Sequence, residues 1–184
     1  MKSVIMEYFL RSAAVGVLLA MTLRAGADDF TRAEQQQISI PTPGLFARSD
    51  AFTVDFTSMR NADFCYPLPV GKSKVKDGRR LEIASSKGDA VKAMFAGQVR
   101  LSRHVTGYGN VIVIRHDNGF ETVYSHNAQN LVKVGQRVKA GQTIAIIGGS
   151  MGRTYCNVEI MVNGGCVNPN TILDVNRHAL RRQA

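Results

Sequence analysis

Four histidines are the first groups in this chain that could move a proton near neutral pH. His104 lies in the polar stretch "SRHVTGYGN", which reads as a loop. His116 precedes "DNG" and is expected at an exposed turn. His126 closes "FETVYSH", where simple alternation puts it on one strand face with Thr122 and Tyr124, and His178 sits near the C-terminus. Taken singly, each is more often a structural or surface residue than a catalyst. No pair has the spacing of a zinc-binding His-Glu-x-x-His helix, and there is no Gly-x-Ser-x-Gly nucleophile elbow. A second set of reactive side chains lies in "TYCNVEIMVNGG", residues 154–165. Tyr155, Asn157 and Glu159 alternate with apolar residues, so all three point to one face of a strand. That face is either the wall of a site or a wet side of a sheet.

The elements that would position these groups are short strands. From Asp63 onward the apolar runs "LEIA", "NVIVIRH", "FETVYSH", "TIAIIGG" and "NVEIMV" recur, separated by turn residues. "DNG" at 117–119 and "NGG" at 163–165 are hairpin signatures. No long amphipathic helical window interrupts them, so the expected class is all-β. "GDAVKA" at 88–93 is echoed by "GQRVKA" at 135–140, each followed by Gly-Gln and a β-branched residue. Such an echo points to a β-sandwich or barrel built from two related halves.

Around this core the chain divides into further parts. Lys2 and Arg11, the apolar run 12–23 and the small residues "AGA" at 25–27 read as a signal peptide over 1–27, with an uncleaved membrane anchor as the alternative. Residues 28–62 lack a sustained period and read as a loosely structured lead-in. The β domain is placed at 63–173 and a basic tail at 174–184. The chain carries a formal net charge of +9 and a pI of about 9.8. The excess gathers in "GKSKVKDGRR" (71–80) and in the tail, which favours an anionic partner. Export makes nucleic acid the least expected of these. Cys65, Cys156 and Cys166 are an odd set without a Cys-x-x-Cys pair, so a zinc ribbon is ruled out and buried or free thiols are expected. An Asn163-Gly164 turn would set Cys166 opposite Met161.

The run "GYGNVIVIRHDNGFETVYSHNAQNLVKVGQRVKAGQTIAIIGG" closely resembles the core of the lysostaphin/LytM-type zinc metallopeptidases, which cut peptide cross-links of bacterial peptidoglycan. The resemblance covers about residues 64–172. It implies the duplicated-hybrid-motif fold, a β-sandwich with a groove over one sheet. It also assigns positions. Gly78 stands where the family has its first zinc-binding histidine, Glu82 where it has an aspartate, and Asn157 where it has the third zinc ligand. Tyr155 replaces the catalytic histidine, while His126 and Glu159 are retained.

A catalytic zinc needs three protein ligands and an open position. With glycine and asparagine at two of the three, the resemblance implies a degenerate member with no metal, zinc being expected only if the chain is active. Without the ion, nothing lowers the pKa of water or polarises a carbonyl. Glu82, His126 and Tyr155 as an acid–base set, or a cysteine paired with His126, lack a third residue to orient them. The expectation is therefore an exported domain whose groove, built from Glu82, His126, Tyr155, Asn157 and Glu159, binds peptidoglycan or regulates a cell-wall hydrolase. The basic 71–80 segment would border it and meet anionic wall material. The rivals are a wall endopeptidase with an unusual metal site and a structural module of the envelope, and membrane contact enters only through an uncleaved leader.

Overall fold

The computed structural model describes residues 30–47, 56, 59–117 and 119–181. The signal-peptide expectation for 1–27 lies outside them. Ten strands join into a largely antiparallel sheet. They are β1 (Lys72–Lys76), β2 (Arg80–Ala84), β3 (Ala90–Lys92), β4 (Gly97–Val105), β5 (Gly109–Arg115), β6 (Glu121–Asn130), β7 (Arg137–Val138), β8 (Thr143–Ile147), β9 (Tyr155–Val162) and β10 (Gly165–Val167). The main path runs β1-β2-β9-β6-β5-β4-β7, with β8 joining β3 to β6. The domain is thus all-β as expected.

The internal repeat has a structural counterpart. The short strand of the first copy, β3, pairs with β8, which follows the second copy. The short strand of the second, β7, pairs with β4, which follows the first. Each half therefore completes the other.

Alternation sorts the side chains of the main path between two faces. Leu81, Ile83, Ile112, Ile114, Tyr124, Cys156, Val158 and Ile160 point inward and pack with Val91, Met94, Ile144 and Ile147. The other face is divided. Towards one end, Leu101, Val111, Val113, Val123 and Met161 form a smaller apolar cluster. Towards the other end the same face carries Arg80, Glu82, Ser125, Asn157 and Glu159, in register with one another and all but Arg80 buried. At the foot of β9, Asn163 and Gly164 both have positive φ, as a two-residue hairpin turn requires, and Cys166 does sit opposite Met161.

Part of the lead-in, residues 30–47, is described and carries regular structure. Residues 30–42 cross the smaller apolar cluster as a strap, with Ile38 buried in it. Its helix, α1 (Arg32–Gln36), starts with a capping box in which Thr31 and Glu34 hydrogen-bond each other's backbone amides. What holds the strap is Arg100. A bulge between Val99 and Leu101 inserts this residue into β4. Its side chain, 0% exposed, donates to both oxygens of Glu121 (2.7 and 2.8 Å) and to the carbonyls of Glu34, Gln37 (2.8 Å) and Ile38 (2.8 Å). Arg115 extends the network from Glu121 to the Glu34 carboxylate. At the C-terminus, Leu173–Asp174 (β11) pairs with Ala179–Leu180 (β12), and His178 stacks on Tyr66 at 4.1 Å. The described part of the basic tail is thus folded back onto the domain.

Candidate functional site

The polar face of β9 is the floor of a groove. Glu82 of β2 pairs directly with Asn157 of β9, and Ser125 of β6 lies on the far side of Asn157. His126 reaches the same floor through a bulge. Ser125 and His126 lie between Tyr124, opposite Ile112, and Asn127, opposite Asn110, so two residues face Val111 alone. His126 has φ +65, a backbone conformation costly for a residue with a Cβ. Hydrogen bonds hold it there, from its N–H to the Tyr108 carbonyl and from the Gly149 N–H to its own carbonyl, both 2.8 Å. The twist carries the imidazole away from the inward face of Thr122 and Tyr124 and sets it 4.9 Å from the Tyr155 ring. The expected shared face with Thr122 and Tyr124 is thereby corrected.

The remaining histidines lie away from this floor, and His178 packs on Tyr66. His116, expected to be exposed, is buried, its ring nitrogens 2.7 Å from the Ala96 carbonyl and 2.9 Å from the Thr122 hydroxyl. Burial lowers its pKa to about 4. His104 belongs to β4 rather than to a loop.

Five of the residues expected at the site, Glu82, His126, Tyr155, Asn157 and Glu159, are therefore brought together. Gly78 is not: it sits at the tip of the β1–β2 hairpin with φ +61, and a Cβ there would come nearest the Asn168 amide. A small pocket of about 180 Å³ opens between that hairpin and the floor, lined by Arg79, Arg80, Tyr108, His126, Asn157 and Glu159 among others.

Charge around the floor has a pattern that sequence reasoning missed. The Glu82 carboxylate is hydrogen-bonded by Arg153 and lies 3.1 Å from the Lys76 ammonium. The Arg153 guanidinium also covers the Tyr155 ring at 5.1 Å. Burial pushes the Glu82 carboxyl up, but these two cations outweigh it and hold it below the usual glutamate range. Glu159 is displaced the other way. Its burial raises the pKa, and the Cys166 hydrogen bond with the charges of Arg80 and Arg79 offsets that only in part. The His126 pKa is lowered by burial and by Arg80, against a smaller pull from Glu82, which favours the neutral imidazole. Its buried Nδ1 has no hydrogen-bond partner among the described residues. Cys166, beside Glu159, has its thiol raised to about 11, mainly by burial, and Cys156 points into the core, away from Asn157.

These residues do not fit a zinc ion. Gly78 offers no donor, Asn157 offers a neutral amide, and Glu82 is already engaged by two cations that would repel a third. Among the described residues no three His, Cys, Asp or Glu side chains are grouped to hold a metal. What the floor presents is a set of fixed hydrogen-bonding groups among guanidinium and ammonium ions, suited to holding a polar chain by its oxygens.

A two-copy β scaffold with its groove across β2, β9 and β6 is the lysostaphin-like peptidase fold. The chain superimposes on the antimicrobial peptidase lysostaphin from Staphylococcus simulans over 60% of this chain and 52% of that one, with a TM-score of 0.55 and 24% identity, a likeness of fold. A putative M23 peptidase from Pseudomonas aeruginosa aligns comparably, covering 60% of this chain and 50% of that one, with a TM-score of 0.54 and 24% identity. The sequence profile of Peptidase family M23 matches residues 76–169, and the chain belongs to that family.

The relatives of known description include both hydrolase activators and an endopeptidase. The murein hydrolase activators EnvC and NlpD of Escherichia coli are 43% identical over 89 residues and 41% identical over 91, which cover 47% and 48% of this chain. The peptidoglycan DD-endopeptidase ShyC of Vibrio cholerae is 37% identical over 163 residues, or 87% of this chain. The chain spans only 21%, 24% and 37% of the lengths of those three proteins.

Proposed function

We propose that this protein is a non-catalytic member of its peptidase family that acts in the bacterial cell envelope, regulating a cell-wall hydrolase through its groove. One observation carries the reading: Glu82 is engaged by Arg153 and Lys76, and the resemblance puts Glu82, Asn157 and Gly78 at the three metal-ligand positions. A fixed guanidinium can bind a carbonyl or carboxylate oxygen, but it does not turn water into a nucleophile as a Lewis acid does. Its likeness to two murein hydrolase activators supports regulation as the use of the groove. The leader at 1–27 would export the chain, and peptidoglycan itself would be the surface on which it meets the hydrolase.

The test is a dye-release assay on purified sacculi. The protein alone should release nothing, with or without added zinc, and should raise the rate of a purified wall amidase. The second reading, an active endopeptidase, is favoured by the match to ShyC across most of the chain. Stoichiometric zinc in the purified protein, with muropeptide cleavage abolished by His126→Ala, would establish it and overturn the first.

A further inference from the structure

The register of the groove places a row of lysines along its wall. Lys72, Lys74 and Lys76 alternate along β1, on the face shared with Arg80 and Glu82, while Val75 between them packs against the core. Across the sheet, Lys72 aligns with Ala84 and Tyr155, Lys74 with Glu82 and Asn157, and Lys76 with Arg80 and Glu159. Each of the three β9 residues of the floor thus has a lysine two strands away. Lys76 reaches Glu82, but Lys72 and Lys74 are exposed, with no carboxylate within 4.0 Å among the described residues. Among the described residues β1 pairs with β2 alone, so its outer edge offers backbone donors and acceptors.

We propose that this wall and floor receive an extended acidic segment of a protein partner, with carboxylates at alternate positions facing Lys72, Lys74 and Arg80. The proposal rests on the regulatory reading and names the chemistry of the partner. Two observations favour this occupant. First, side chains two residues apart in an extended chain are about 6.6–6.8 Å apart, the spacing of the lysines themselves, so an alternating acidic peptide meets them in step. Second, large exposed apolar side chains stand close in sequence to these cations. Val70, 83% exposed, precedes the lysine row, and Met151, 97% exposed, stands two residues before Arg153. Apolar anchors beside cations suit a protein segment better than a glycan strand or a phosphate polymer. Lysines on an edge strand also discourage sheet-to-sheet pairing, but that role does not require their register with the groove floor.

The experiment uses the purified chain and two labelled peptides of equal composition, acetyl-Glu-Val-Glu-Val-Glu-amide and acetyl-Glu-Glu-Glu-Val-Val-amide, read by fluorescence anisotropy. The alternating peptide should bind more tightly. The double variant K72Q/K74Q, with an unchanged circular dichroism spectrum, should bind it about tenfold more weakly, since each exposed charge pair is worth about twofold to fivefold. Equal affinity for the clustered peptide, or undiminished binding by the variant, overturns the proposal. So does displacement of the peptide by soluble muropeptides at lower concentration, which would assign the groove to wall carboxylates. Amidase stimulation without peptide binding would sink this inference and leave the regulatory reading intact, whereas peptide binding without stimulation would do the reverse.

Discussion

Replacing Arg100 by methionine should loosen the strap and lower the stability of the whole domain. The guanidinium has five N–H groups, and all five are used: two on Glu121 and three on the carbonyls of Glu34, Gln37 and Ile38. Methionine fills much of the volume but donates nothing. Three strap carbonyls lose their donor, and Glu121, 1% exposed, keeps only Arg115. Breaking a buried pair by removing one partner costs about 3–5 kcal/mol. For a domain of this size each kcal/mol is about 2–4 °C, so the midpoint of thermal unfolding should fall by roughly 6–20 °C. Circular dichroism melts give that number, and limited proteolysis shows where the loss is felt, with new cuts expected within residues 30–42. Arg100→Lys, which keeps the charge but has at most three donors, should fall between. If R100M melts within 2 °C of the parent and its strap resists protease equally well, the network does not hold the strap.

Two further predictions concern the groove. Because the Glu82 pKa is depressed, its contribution to stability is present above the ordinary value of 4.5 and is lost as pH falls through the lowered one. Arg153→Ala should raise the Glu82 pKa in a carboxyl NMR titration and flatten that acid limb, by less than about 1 kcal/mol because Arg153 is 55% exposed; an unmoved titration would refute the ion pair. At His126, the positive φ makes glycine the better small residue, so H126G should be more stable than H126A by about 1 kcal/mol in urea unfolding. Both should also lose the destabilisation that a histidine with a lowered pKa brings below pH 6.5. Equal stabilities would mean that the bulge relaxes.

The sequence was legible where period and turn chemistry decide the outcome. Alternation in "YCNVEIMV" assigned Tyr155, Asn157 and Glu159 to one face and Cys156 to the other, and the Asn163-Gly164 turn fixed Cys166 against Met161. It misled wherever a bulge breaks the period. The extra residue at Ser125–His126 turned the histidine to the groove, and the burial of Arg100 at the other bulge had no signal in the sequence. His116 looked exposed because it adjoins a polar turn, yet its ring closes the edge of the core between Phe95 and Phe120. Arg153 carried no local signal, since its partner Glu82 comes from a strand far away in sequence. The helix at the start of the lead-in left no period because it is a single short turn, held by the Arg115–Glu34 ion pair and by Arg100 hydrogen bonds from elsewhere in the chain.

The exchange of short strands between the two repeats also bears on how the chain reaches this form. Val91 needs Ala145 as its neighbour, and Gly97 needs Val138, so neither copy can close its own sheet. A chain ending before β8 would leave β3 and one side of β6 with open edges, which are templates for misassociation. Contacts of such long range make folding a late, whole-domain event rather than a sequence of independent steps. The duplication that built the scaffold has thus abolished the autonomy of its parts.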